Sequence, residues 1–128
     1  MKTQYKIALA MLASFGLGAA AVQALHAQAK PPVYVVSEIT VTDVDAYAKE
    51  YAPLAQAAIK KTGGKLVAVS QNPTSLEGTP QNSRVTINVY DSLEQAHASR
   101  NGADYKAARA IGDKYATFRA FVVEGRPE

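Results

Sequence analysis

This 128-residue chain contains segments with the periodicity of strands and segments with the periodicity of helices. The order of these segments along the chain constrains the fold most strongly. The four predicted strands are rich in β-branched and aromatic residues and cover 33–40, 65–69, 84–90 and 117–124. Between them, apolar residues recur at spacings of three and four over 44–62 and 92–114, which predicts two helical regions. The order strand, helix, strand, strand, helix, strand predicts one α+β domain.

Residues typical of helix ends stand at the predicted boundaries. Asp43 is placed to cap the first helix, and Gly63-Gly64 supplies the left-handed conformation at its end. Pro53 removes one backbone hydrogen bond inside this helix and should bend or open it. Ser92 begins a capping box at the start of the second helix. We therefore expect a ferredoxin-like βαββαβ domain, a four-stranded antiparallel sheet with both helices on one face.

The first 29 residues have the pattern of a cleavable signal peptide. Lys2 and Lys6 precede an uncharged, mostly apolar run over 7–22, and Ala27-Gln28-Ala29 offers a small-x-small cleavage site. The alternative is a retained membrane anchor, but sixteen apolar residues fall short of the roughly 20 that span a bilayer. We expect a signal peptide at 1–29 and a periplasmic or secreted domain at 30–128.

Charge and residue types argue against several kinds of partner. Without Lys2 and Lys6, the fourteen Lys and Arg fall to twelve against eleven Asp and Glu, a net charge of +1. Lys60 and Lys61 do not make the basic stripe of a nucleic-acid-binding protein, so no nucleic acid is expected, and no membrane after cleavage. With no Cys and with His97 as the domain's one histidine, we expect no metal and no cofactor.

Alternation along the strands predicts which side chains share a face of the sheet. We expect Val85, Ile87 and Val89 to face the helices. The other face should then carry the alternate residues Tyr34, Val36, Glu38, Arg84, Thr86, Asn88 and Tyr90, with Arg119 and Phe121 from the last strand. That face is too apolar to leave exposed, and a second copy of the chain is its simplest cover. We therefore expect a homodimer.

Glu38 is the candidate catalytic residue on this face. In one interpretation it pairs with Arg84 or Arg119 and fixes the dimer register, the more common use of such residues. In the other it is a partly desolvated general base beside Asn88, which would steady an enolate-like oxygen. The candidate ligand-binding residues are Asn88, Arg84, Arg119, Tyr47 and Tyr51.

Several short motifs lie in a fixed order along the domain. They include YVVSEITVTD at 34–43, LEG at 76–78, YKAAR at 105–109 and VVEG at 122–125. In these motifs and their spacing the chain resembles the DUF1330 family of small bacterial proteins. The resemblance implies a dimeric α/β barrel, in which two ferredoxin-like sheets pack face to face, and it implies no known reaction. The family usually carries a glutamate at the position of Val89 and a Trp-Tyr pair at that of Ser99-Arg100.

We expect the domain to bind a small molecule in a pocket between the sheet and the helices. One alternative is a cofactor-free enzyme, isomerase or monooxygenase-like, that uses Glu38 as general base. Another is a structural envelope or stress protein without a ligand, which predicts no cavity.

Signal cleavage is testable by mass spectrometry of the protein recovered from a bacterial host. We expect the mature chain to begin at or near Lys30, because the small-x-small site ends at Ala29. An intact, membrane-bound precursor would instead support the anchor.

Overall fold

Four strands and three helices form in the part of the chain that the computed structural model describes, residues 30–79, 81 and 83–128. The strands are β1 (Val33–Val41), β2 (Lys65–Ser70), β3 (Arg84–Tyr90) and β4 (Ala116–Glu124). Helix α1 has three consecutive parts, an α-helical turn at Val44–Ala46, a π-helical segment at Tyr47–Tyr51 and an α-helix at Ala52–Lys61. Helices α2 (Leu93–Asn101) and α3 (Ala103–Gly112) precede β4. The order of elements is the predicted one. The proposed signal peptide lies outside the described residues.

The four strands form one antiparallel sheet in the order β2-β3-β1-β4. Val36 of β1 marks the register, since it pairs with Ile87 of β3 and with Phe121 of β4. Strand β2 is an edge strand, and its pairing with β3 shifts between Leu66 and Ala68. This arrangement confirms the predicted α+β fold with a four-stranded antiparallel sheet.

The predicted caps at Asp43, Ser92 and Gly63 are confirmed, although Gln95 Oε1 accepts from the Asp91 N–H and does not close a capping box on Ser92. Asp43 Oδ1 and Ser92 Oγ each accept a hydrogen bond at 3.1 Å from the backbone N–H three residues later. Gly63 has a φ of +88°, a conformation that glycine adopts without a steric cost. The N–H groups of Gly63 and Gly64 then donate to carbonyls of the last turn of α1 and close it as a Schellman motif.

The helices pack on one face of the sheet, which we call the helix face. Val33, Val35 and Ile39 of β1 are buried there. They form one core with the helix residues Tyr47, Tyr51, Ala55, Ala58, Ile59, Ala96, Tyr105 and Ala108. Helices α3 and α1 approach closely because Gly112 has no side chain, since a Cβ there would lie 2.6 Å from Tyr51 Cδ2.

The predicted orientation of β3 is wrong. Thr86, Asn88 and Tyr90 are buried on the helix face, whereas Val85, Ile87 and Val89 lie on the opposite face. The register explains the reversal: directly paired residues share a face, and Val36 of the opposite face is paired with Ile87. Alternation had identified the two sets of side chains correctly but had assigned the more apolar set to the helices.

The other face of the sheet, which we call the open face, is therefore more apolar than predicted. Its members on β1, β3 and β4 are Tyr34, Val36, Glu38, Val85, Ile87, Val89, Arg119, Phe121 and Val123. Phe121 is 40 % exposed and Val123 47 % exposed, although both are large apolar side chains. Within the described residues, no helix is both long enough and apolar enough to cross a membrane.

Candidate functional site

A cleft lies between the helix face of the sheet and the helices. Its outer part, the outer cleft, has a volume of about 440 Å³ and is lined by residues of β1, of the first half of α1 and of the segment after β2. Its deeper part, the inner cavity, has a volume of about 90 Å³ and also reaches α2 and α3. Both parts share Ile39, Tyr47, Ala52 and Arg84 in their walls, so they lie next to each other.

The π-helical segment of α1 presents two tyrosines to the inner cavity. Pro53 has no N–H to donate to the carbonyl four residues earlier, so the regular α-helical pattern cannot run through this region. Tyr47 and Tyr51 bracket the π-helical turn, with ring centroids 5.0 Å apart. Tyr51 also packs edge-on against Phe118 at 5.1 Å. The predicted effect of Pro53 on this helix is confirmed, and such π-helical turns are frequent at functional sites.

Two arginines enter the inner cavity from different elements. Arg84 begins β3, and its guanidinium carbon lies 5.6 Å from the centroid of the Tyr47 ring. Arg100, near the end of α2, donates one hydrogen bond to Ser37 Oγ at 3.2 Å and another to the Tyr105 hydroxyl. These contacts fix the direction of Arg100, while its Nε has no hydrogen-bond partner within the described part of the chain.

Asn88 forms the polar floor of the inner cavity. Asn88 is 1 % exposed, and its Oδ1 has no hydrogen-bond partner among the residues that the structure describes. Thr86 lies between Arg84 and Asn88 on the same face of β3 and is paired with Ser37 of β1. A row of polar side chains therefore runs along the buried face of the sheet beneath the helices.

Burial keeps the tyrosine hydroxyls of the cavity protonated. Burial raises the pKa of Tyr47, and the nearby Arg84 guanidinium offsets part of that rise. Burial raises the pKa of Tyr51 still further, with an added contribution from Tyr105. At neutral pH these hydroxyls can donate hydrogen bonds, but neither is a ready general base.

The structure brings together four of the six predicted site residues, Arg84, Asn88, Tyr47 and Tyr51. The other two, Glu38 and Arg119, lie on the open face, where Arg119 Nη1 donates to Glu38 Oε2 at 2.9 Å. The expected grouping of Glu38 with Asn88 is therefore wrong, because the two side chains point to opposite sides of the sheet. Of the two partners considered for Glu38, the structure pairs it with Arg119 and not with Arg84.

Sequence reasoning missed Arg100, Tyr105 and Ser37. Ser37 carried a signal, since it is the one polar residue in the buried row that includes Val33, Val35 and Ile39. No local pattern placed Arg100 at the cleft, because its contact with Ser37 spans 63 positions of sequence. His97 is exposed, and the described residues contain no group of three or more His, Cys, Asp or Glu side chains placed to hold a metal ion.

Residues 32–126 match the family model described as a domain of unknown function, DUF1330. The chain belongs to the DUF1330 family. No curated protein matches it. Among solved structures, it is similar to a protein of unknown function from Rhodopseudomonas palustris, with 20% identity and a TM-score of 0.60 over 82% of this chain and 92% of that one.

Two further solved structures share the fold of this DUF1330 protein. SnoaB, a cofactor-independent oxygenase from Streptomyces nogalater, is 16% identical, with a TM-score of 0.57 over 75% of this chain and 94% of its own. A dimeric protein of unknown function and ferredoxin-like fold from Bacteroides fragilis is 14% identical, with a TM-score of 0.53 over 73% of this chain and 96% of its own. At these identities the likeness establishes the fold, and the activity of one protein does not transfer to another.

The raised tyrosine pKa values predict that stability falls at alkaline pH. A hydroxyl whose pKa is higher in the folded state holds its proton more tightly there, so its contribution is complete below about pH 10 and is lost as the pH rises further. In urea denaturation series from pH 8 upward, Tyr51→Phe should remove up to about 1.4 kcal/mol per pH unit of this slope.

Val35→Ala, which removes buried volume from the core but no ionisable group, is the control; it should lower stability at every pH and keep the wild-type slope. A Tyr51→Phe protein that loses stability with pH as steeply as the wild type would contradict the effect of burial on Tyr51.

Proposed function

We propose that this DUF1330 protein binds a small organic molecule in the cleft between the sheet and the helices. The observation that carries the proposal is the unpartnered amide oxygen of Asn88 at the floor of the inner cavity. A buried acceptor without a partner costs about 1–3 kcal/mol, and folded proteins rarely tolerate that cost without a reason. A ligand group that donates to this oxygen would remove it.

The distribution of unpartnered atoms supports the same conclusion. Within the described residues, four buried side-chain nitrogen or oxygen atoms lack a protein partner, those of Arg84, Asn88, Arg100 and Arg109. The first three residues all line the inner cavity. Polar groups converging on one cavity whose other walls are mostly aromatic and aliphatic are the usual pattern of a small-molecule site. A purely structural protein would have no reason to keep such a cavity.

The geometry does not favour the alternative of a cofactor-free enzyme with Glu38 as general base. The Glu38 carboxylate lies on the open face and is held by Arg119, so it cannot reach a molecule in the cleft. SnoaB, a relative in fold, is a cofactor-independent oxygenase, and enzyme activity of the present protein stays a hypothesis. Any catalysis in the cleft would depend on the arginines, Asn88 and the tyrosines of the inner cavity.

Filling the cleft should abolish ligand binding. Ala52 lines both the outer cleft and the inner cavity, so the ring of Ala52→Phe would occupy the space of a ligand. In ligand-observed NMR with a library of aromatic fragments, we expect hits with the wild type that disappear with Ala52→Phe. Ala57→Phe places the same ring on the exposed side of the same helix and should keep them. Absence of any hit with the wild type would refute the proposal.

We also propose that two copies of the chain form a homodimer through their open faces. The open face is a nearly continuous apolar surface that includes Val36, Ile87, Phe121 and Val123. Monomeric proteins rarely expose such a surface. A structural relative with the same fold is described as dimeric. Export to the periplasm or beyond the cell also belongs to the proposal and depends on the signal pattern of residues 1–29.

Val36→Asp should break the proposed dimer. Val36 lies at the centre of the open face, and a carboxylate buried there without a partner would cost about 3 kcal/mol or more. By sedimentation velocity at micromolar concentration, we expect a dimeric wild type and a monomeric variant. Leu54→Asp, on the exposed side of α1, is the control and should stay dimeric. A wild type that sediments as a monomer would show that the open face is not covered in this way.

A further inference from the structure

The two arginines that line the inner cavity have no ion-pair partner among the described residues. Within the described residues, the ion pairs are Lys61–Asp104, Arg109–Asp113 and Arg119–Glu38. Arg84 and Arg100 therefore have no carboxylate within 4.0 Å. Arg109, which is also partly buried, does have one. The two unneutralised guanidinium groups both line the inner cavity.

The residues that line the cleft contribute no negative charge to balance the two arginines. Neither the outer cleft nor the inner cavity has an Asp or Glu among its lining residues. Removing cations from water without a counter-charge is costly, and two cations at one cavity also repel each other. The cleft is therefore a region of positive potential with low-dielectric walls, which concentrates anions.

The arginines are held in place before any ligand arrives. Ser37 and Tyr105 accept hydrogen bonds from the terminal nitrogens of Arg100, and the aromatic ring of Tyr105 lies 4.6 Å from its guanidinium carbon. Arg84 lies against the ring of Tyr47. Because the two side chains come from a strand and a helix packed on each other, their guanidinium groups need little reorganisation to bind an anion.

We propose that the ligand is an organic carboxylate, with its carboxylate group between Arg84 and Arg100 and its apolar body in the outer cleft. This inference depends on the proposed binding function. A guanidinium fork matches the planar carboxylate group and can bind it through two parallel hydrogen bonds. The outer cleft, with Ile39, Val41 and Val44 in its wall, gives room to a hydrocarbon body, which an inorganic anion lacks.

Phenylacetate and phenylacetamide test the charge directly, because they have nearly the same shape and differ in the charged group. By isothermal titration at neutral pH, phenylacetate should bind about tenfold tighter or more than the amide, as expected for charge-assisted hydrogen bonds. Inorganic phosphate, which has no apolar body, should compete weakly. Equal binding of acid and amide, or phosphate binding as tightly as phenylacetate, would overturn the inference.

Arg84→Gln and Arg100→Gln should each weaken phenylacetate binding about tenfold while changing phenylacetamide binding little. Arg126→Gln removes an exposed guanidinium after the last strand, away from the cleft, and is the control, with wild-type binding of both probes. If a Gln variant fails to fold by circular dichroism, Arg84→Lys or Arg100→Lys retains the charge and should bind the acid with intermediate affinity.

The two proposals fail in different ways. If fragments bind the wild type and are lost with Ala52→Phe, but phenylacetate shows no preference over its amide, the carboxylate inference is wrong and the binding function stands. If neither the fragments nor phenylacetate bind, both are wrong. Arginine variants that weaken acid and amide equally also contradict the inference, because the side chains would then act through the shape of the cavity alone.

Discussion

The buried face of β3 is polar along its whole length, and the fold depends on how those polar groups are satisfied beneath the helices. At one end the protein does this itself. The Tyr90 hydroxyl lies 3.0 Å from Ser99 Oγ, and Thr62 Oγ1 donates to Ser99 Oγ at 2.6 Å. This chain of hydroxyls joins β3, α2 and the end of α1 inside the core, where each unpaired group would cost free energy. At the other end, no such chain of hydroxyls joins Asn88 and Arg84 to the helices within the described residues, and the cleft lies there.

The contrast between the two ends explains why the cavity is located where it is. Gly64 allows Tyr90 to lie against the end of α1, since a Cβ there would come within 2.7 Å of the Tyr90 ring. At the opposite end of the helix, the π-helical turn before Pro53 widens the backbone and turns two tyrosines toward the sheet. One end of α1 is therefore packed tightly on the sheet, and the other leaves a cleft open.

Much of this fold could be predicted because local chemistry determines it. Asp43, Ser92 and Gly63 set helix ends through their own backbone and side-chain bonds, so no distant contact was needed to locate them. The orientation of β3 could not be predicted in this way. A periodicity of two separates the two faces of a strand. It identifies the face that packs against the helices only when the opposite face is polar and exposed to solvent. Here Val85, Ile87 and Val89 lie on an apolar open face, so that rule gave the wrong answer.

The site was predictable to the extent that its residues belong to regular patterns. Tyr47 and Tyr51 followed from the helical stripe, and Arg84 and Asn88 from one face of a strand. Arg100 depended on how α2 packs over β1, which no local pattern encodes. Alternation along β3 also has a physical consequence for the molecule. Consecutive residues of β3 point to opposite sides of the sheet, since Ile87 lies on the open face and Asn88 lines the inner cavity.

That arrangement separates the proposed dimer surface from the proposed binding site within a single layer of backbone. Arg119 and Glu38 neutralise each other among the apolar residues of the open face, whereas Arg84 and Arg100 stay unneutralised at the cleft. The two sets of charges cannot exchange partners, because the sheet lies between them. A ligand in the cleft could influence the open face only by moving the strands themselves, and coupling between two sites requires such a shared element with two arrangements. The central position of β1 and β3 in the sheet, each paired on both sides, opposes that movement.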